Sequence, residues 1–360
     1  MIIVIAGREL GHLAPMWWLA REAAIAGHET AFFTNGEPYG GLWPWWSAAR
    51  EEDLRLRIEH LPLRDASDIS EQAEQAWAAD ISVMIGRPIR TSDQIFFDAA
   101  LRACAFRQAR WNLRPGNVRS VATSLRALWD RPVDGPLELE QPGHVVQWLG
   151  WEDGPSWRSI PYDDDEDPVQ FVGPLVAPVL RGPRLLRERL IYVTCGSIDI
   201  WPGDVRAGIL NACDRAVRKF GEAVVIVAPR ATDGGIRSRQ IVAQALSPLS
   251  EPYLIRRASL VVHHGGAHTF LQCCAGGVAQ VIVPIDEGND TQIQRELLLR
   301  HGLGCALNDR TLSGLEDIAT EQIIHGGPPG AAAEDLAERF REQGGGLTGA
   351  AEVIRYVSSR

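Results

Sequence analysis

The amino-acid sequence predicts an α/β protein of two domains, each a parallel sheet wound with helices in the Rossmann-like manner. Three observations carry this reading. Ile2–Ala6, Ile191–Cys195 and Leu260–His263 are continuous apolar, largely β-branched runs that lead into glycine loops, the pattern of strands buried on both faces. Each is followed by a helix-forming stretch and a further apolar run, so the chain repeats a βαβ grammar. The length, 360 residues with 45% hydrophobic and 23% charged, suits two ordinary globular domains and excludes collagen, coiled coil and disordered tail.

Taken in order, Ile2 to Ala6 is the first strand. A helix follows, with Pro15 in its first turn and Gly27 where a C-cap glycine belongs, and Glu29 to Thr34 is the second strand. The grammar restarts near Leu190: strand Ile191 to Thr194, helix Val205 to Phe220, strand Ala223 to Ala228. Leu260 to Val262 is a further strand, with a helix from Thr269 to Ala275 and a strand from Gln280 to Val283 behind it. Asp163–Asp167 and prolines 168, 174, 178 and 183 read as a semi-rigid linker, and the acidic run as a solvated face rather than a metal clamp. The expected division is an N-terminal domain over 1–167, a linker over 168–184 and a second domain over 185–345. A C-terminal helix over 346–360 is expected to return to the first domain.

Charge and cysteine usage narrow the function classes. With 36 Lys+Arg against 46 Asp+Glu, a formal net charge of −10, no nucleic-acid partner and no stable membrane insertion are expected. Lys219 is the only lysine, so Schiff-base and P-loop lysine chemistry has almost no candidate. The six cysteines lack C-x-x-C spacing, and neither a zinc site nor a disulfide framework is expected. Reduced cysteines and a start without a basic leader lead us to expect a cytoplasmic protein, monomer or homodimer.

Chemistry is expected at the carboxyl ends of the strands. Gly11-His12-Leu13-Ala14-Pro15 puts an imidazole just ahead of a helix N-terminus, where it can take a proton from an attacking hydroxyl. In Val262-His263-His264-Gly265-Gly266-Ala267-His268-Thr269-Phe270, glycines at a strand-to-helix turn free backbone N–H groups for an anion, and His268 and Thr269 add donors. Ser197 supplies another on the same edge. The three histidines lack a carboxylate or cysteine at ligand spacing, so phosphate recognition, with no metal, is the better reading. Trp17, Trp18 and the aromatic loop Leu42–Trp46 are read either as core or, through Trp17, Trp43, Trp45 and Trp46, as a pocket for a flat or apolar acceptor.

The G-H-x-x-P helix, the segment Val169–Leu175, and the run Arg257–Ala267 continued by Ala275–Pro284 together resemble family 1 glycosyltransferases of the GT-B fold, in particular the bacterial enzymes that decorate antibiotics and other natural products. The resemblance implies two Rossmann-like domains facing a central cleft. It also implies inverting, metal-independent transfer of a sugar from a UDP- or dTDP-sugar to a small-molecule acceptor, with no further cofactor. It makes His12 the general base. His264, with Gly265, Gly266, His268, Thr269 and Ser197, becomes the diphosphate site. Leu246, Ser247, Pro248 and Gln272 meet the nucleoside, and Asn289, Asp290 and Thr291 the donor sugar. A catalytically degenerate nucleotide-sugar-binding protein and a GT-B epimerase are the alternatives.

The chain departs from the family's pattern at several of these positions. His268 stands where relatives carry glycine or asparagine, Gln272 replaces a ribose-binding glutamate, and Leu246 a base-stacking tryptophan. The acidic pair is Asp290-Thr291, or Gly288-Asn289 if the gap falls elsewhere. The aspartate that orients the histidine is expected after an R-P-D element, and Arg114-Pro115-Gly116 leads instead to Thr123 and Ser124. Asp98 and Asp130 are the substitutes.

Overall fold

The structure, a computed structural model, describes residues 1–7, 10–34, 43–61, 71–98, 118–122, 144–147, 170–172, 175–176, 189–196, 201–228, 241–243, 250–284, 290–307, 312–325, 331–342 and 347–358. The chain divides into two compact units, Met1–Val176 with Gly346–Arg360, and Ala177–Gly345. Among the described residues no helix is long and apolar enough to cross a membrane.

Among the described residues the first unit holds seven parallel strands: β1 (Ile2–Ala6), β2 (Thr30–Thr34), β3 (Leu56–His60), β4 (Gln94–Asp98), β5 (Val118–Ala122), β6 (His144–Gln147) and β7 (Gln170–Val172), in the order β3-β2-β1-β4-β5-β6-β7. β1 and β2 are buried along their whole length, as strands covered on both faces must be. Ile3, Ile5, Phe33, Ile95 and Phe97 share one core cluster with Ile81 and Ile85 of α3 (Glu71–Ile85). Three expectations give way here. α1 runs from Leu10 to Ile25, so His12 lies inside its first turn and Pro15 one turn further in. The proline forgoes the bond that an N–H at this position would give to the Gly11 carbonyl. Trp43–Glu51 is a helix, α2, and not a loop: Pro44 fits a first turn, and Ser-Ala-Ala-Arg-Glu carries the helix on. Within the expected linker, Gln170–Val172 is already a strand of the first sheet, while the acidic run Asp163–Asp167 lies outside the described residues.

Among the described residues the second unit holds six parallel strands: β8 (Leu190–Thr194), β9 (Val224–Ala228), β10 (Ile241–Ala243), β11 (Leu260–His263), β12 (Gln280–Ile282) and β13 (Gly304–Ala306), in the order β10-β9-β8-β11-β12-β13. Its helices are α4 (Gly203–Arg218), α5 (Ser250–Arg257), α6 (Ala267–Gly276), α7 (Asp290–Arg300), α8 (Leu315–His325) and α9 (Ala331–Glu342). α4 turns Ile209, Cys213, Ala216 and Val217 onto Ile191, Val193 and Val225 of the sheet and onto Leu315 and Ala319 of α8. Lys219, just past α4, lies 3.1 Å from Glu316 of α8, so the only lysine ties two helices together. The last helix, α10 (Leu347–Ser358), belongs to the first unit, where it packs on α1 and β7.

Candidate functional site

Both sheets change winding direction next to their first strand, between β1 and β4 in one and between β8 and β11 in the other. Outside the carboxyl ends of the strands at such a point lies the crevice where open α/β sheets bind ligands. His12 follows β1 at the first point, and His263, His264, Gly265 and Gly266 close β11 at the second.

In the first unit, β1 leads into His12, and β4, its hydrogen-bonded neighbour, ends at Asp98. The His12 Nδ1 lies 3.1 Å from Asp98 Oδ2. The carboxylate is fully buried while the imidazole is 28% exposed, so the pair has an anchored end and an accessible end. An Asp at Nδ1 fixes the tautomer with a proton there and makes Nε2 the basic nitrogen. Of the two substitutes for the family's aspartate, Asp98 is the one that sheet order, not the R-P-D spacing, sets beside the histidine. Thr123, Ser124 and Asp130 lie outside the described residues.

The early tryptophans divide. Trp17 is fully buried, edge to face with Phe32 at 5.8 Å between ring centroids, which makes it core and removes it from any acceptor pocket. Trp18 is also buried. Trp46 keeps 46% of its surface exposed while its indole N–H donates to the Ile58 carbonyl at 3.1 Å, so its ring is fixed yet open. The side chains of Trp43 and Trp45 lie outside the described residues.

In the second unit the glycine turns after β8 and β11 enclose the His264 ring. A Cβ on Gly196 would stand 2.8 Å from His264 Cε1, and one on Gly266 2.7 Å from Nε2, so the imidazole is packed between two residues that must lack side chains. Gly196 also has φ +76°, and its N–H donates to Thr194 Oγ1 at 3.1 Å. Gly266 is the N-cap of α6 and, lacking a side chain, leaves the first N–H groups of the helix without a side-chain cap. An uncapped helix N-terminus beside an imidazole is suited to an anion.

His263 does a different job from its neighbour. Its Nδ1 accepts the Gly265 N–H at 3.2 Å, which directs Nε2–H to Gln280 Oε1 at 3.0 Å. It is fully buried, and desolvation, with a smaller push from His264, pulls its pKa to about 3. His263 therefore stays neutral and pins the turn. Desolvation pulls both His264 and His268 to about 4, so each is a neutral hydrogen-bonding group at physiological pH. The Nδ1 atoms of both are buried with no partner among the described residues.

Around this turn, Thr269 and Gln272 are buried on α6, and the first turn of α7 abuts the loop, with Thr291 Cβ 3.2 Å from where a Gly265 side chain would begin. Gln294, one turn further along α7, went unnoticed in the sequence; it is fully buried, and neither polar atom of its amide has a partner among the described residues. Ser197, Leu246, Ser247, Pro248 and Asn289, and the side chain of Asp290, lie outside the described residues.

Comparison with known proteins follows the same lines. Residues 247–323, which hold the loop, α6 and α7, match the glycosyltransferase family 28 C-terminal domain. No curated protein matches the chain in sequence. Among solved structures, the spinosyn forosaminyltransferase SpnP aligns over 99% of this chain and 99% of its own, at 16% identity and a TM-score of 0.64. Arabidopsis thaliana UGT89C1 complexed with quercetin aligns over 99% and 98%, at 13% identity and 0.67. Glycosyltransferase VinC in complex with dTDP aligns over 99% and 98%, at 16% identity and 0.59. The fold is that of the GT-B glycosyltransferases, as the sequence resemblance implies.

Proposed function

We propose that the chain is an inverting glycosyltransferase that moves a sugar from a UDP- or dTDP-sugar to a hydroxyl of a small aromatic or apolar natural product without the help of a metal. The observation that carries this reading is the His12–Asp98 pair at the switch point of the first sheet. An uncapped helix N-terminus with His264 at the corresponding point of the second supports it. The dTDP of the VinC complex and the quercetin of the UGT89C1 complex suggest the classes of donor nucleotide and acceptor.

In this mechanism His12 Nε2 accepts the proton of the acceptor hydroxyl as its oxygen attacks the anomeric carbon. The new C–O bond forms on the face opposite the diphosphate while the anomeric carbon–phosphate oxygen bond breaks, so the configuration inverts. Asp98 steadies the imidazolium until its proton passes to solvent. The electron pair leaves on the diphosphate, where the first-turn N–H groups of α6 and the neutral imidazoles of His264 and His268 meet the added charge. Thr291 would lie near the donor sugar, and Trp46 would offer a ring to a flat acceptor. The alternative of a degenerate binding protein rests on the departure at the aspartate and on the rearranged Asp290 region, and the nearness of Asp98 to His12 favours the catalytic reading over it.

His12→Ala is expected to lower transfer by about 10²–10⁴-fold with affinity for UDP or dTDP unchanged, and Asp98→Asn to act in the same direction. Product mass spectrometry over UDP- and dTDP-sugars and phenolic acceptors measures this. Full turnover in His12→Ala would remove the base from the mechanism.

A further inference from the structure

Glu251 is a buried carboxyl in the second unit that the transfer step does not use. It sits in the first turn of α5, 4% exposed, and accepts a hydrogen bond from the Tyr192 hydroxyl at 3.1 Å. Tyr192 is fully buried on β8. Thr194, two residues along and so on the same face of the strand, is hydrogen-bonded to the Tyr192 hydroxyl. Thr194 Oγ1 in turn accepts the Gly196 N–H at 3.1 Å, and Gly196 is one of the two glycines against the His264 ring. One continuous line of hydrogen bonds therefore runs from α5 to the loop that holds His264.

The direction of that line is set at its far end. A carboxylate can only accept, whereas a hydroxyl can both donate and accept. With the Tyr192 proton given to Glu251, the tyrosine oxygen is left to accept the Thr194 proton, and the lone pairs of Thr194 are left for the Gly196 N–H. Without the acceptor, Tyr192 can turn its proton onto Thr194, and the bond that fixes the turn loses its single orientation.

We propose that Glu251 is a positioning residue for the diphosphate loop, acting through Tyr192 and Thr194 to hold the Gly196 turn against His264. This rests on the reading of that loop as the donor site, so its test needs one readout without nucleotide. Amide exchange of Gly196, followed by NMR in the free protein, is that readout; calorimetric affinity for UDP and dTDP is the second. Both are measured at about pH 8.5, above the value of about 7 to which burial pushes the Glu251 carboxyl.

Glu251→Ala is expected to speed Gly196 exchange and to weaken nucleotide binding, each by about tenfold, the scale of one well-made hydrogen bond. Glu251→Gln, whose amide oxygen accepts the same bond, is expected to restore both to within about threefold of the parent. The double variant Glu251→Ala with Thr194→Val should bind no more weakly than Thr194→Val alone, because the two act on one line. Tyr192→Phe, which keeps the ring in the core, cuts the same line and replaces Glu251→Ala if that variant does not fold. Gly196 exchange at the parent rate in Glu251→Ala or Tyr192→Phe, or losses that multiply in the double variant, would overturn the proposal. A parent protein that binds neither nucleotide would sink the donor-site reading, and Gly196 exchange would still decide the role of Glu251.

Discussion

Two glycines and one ring show how much of this site is decided by single residues. Gly266 has φ −59°, a conformation open to alanine, so Gly266→Ala acts only through its new methyl group, 2.7 Å from His264 Nε2. The ring must move, and affinity for UDP or dTDP is expected to fall by about tenfold with the melting temperature little changed. Gly196→Ala adds backbone strain at φ +76° and is expected to cost about 1 kcal/mol of stability as well. Calorimetry of nucleotide binding beside thermal melts separates the two, and unchanged affinity in Gly266→Ala would show that the ring's position is immaterial. The glycines and histidines were legible because they follow an apolar run directly. Asp98 was harder to find: it meets His12 only because β4 lies beside β1, and spacing along the chain does not encode sheet order. Gln294 gave no signal, since a glutamine on a helix reads as a surface residue until burial is known.

At the scale of elements, the strands were legible and the helix starts were not. Unbroken runs such as Ile2–Ala6 and Leu260–His263 admit one reading once glycine ends them, whereas α1 and α2 begin around Pro15 and Pro44, and proline marks a first turn only to within a few residues. α10 is the element with the largest consequence for the first unit. It follows the second unit in sequence yet buries Ala350, Val353 and Ile354 in the first, and His28 Nε2 meets Ser358 Oγ at 2.9 Å. Burying a valine and an isoleucine contributes about 4 kcal/mol together. Ending the chain at Gly345 is therefore expected to destabilise the first unit by that order, seen as a lower urea midpoint in tryptophan fluorescence. An unchanged midpoint would mean that the helix only rests on the surface.

At the scale of the whole molecule, the buried titratable groups among the described residues are unevenly shared. His263, His264 and His268, pulled by burial to about 3, 4 and 4, lie in the second unit, as does Glu251, pushed up to about 7. Unfolding returns each histidine to its ordinary value of 6.5, so between 6.5 and 4 the unfolded chain binds three more protons through them. Stability held above 6.5 is lost as the pH falls. Glu251 has the opposite sign: its folded form holds the extra proton between 4.5 and 7, so it contributes on acidification and offsets one of the three. Two protons remain, equivalent to a loss of up to about 3 kcal/mol per pH unit in that window. The first unit differs. Burial raises Asp93, but hydrogen bonds from Arg87 and the Arg90 amide outweigh it and hold the carboxyl below 3.8, so this group yields only in stronger acid. Lowering the pH from about 7.5 to 5 is thus expected to bring down the melting of the second unit ahead of the first. Trp201 is the one tryptophan of twelve that lies within residues 177–345, so loss of helix in circular dichroism should precede the main change in tryptophan fluorescence. A midpoint indifferent to pH in this range, or the two signals moving together, would show that the histidines are not buried neutral as their packing between glycines, Gln280 and α6 requires.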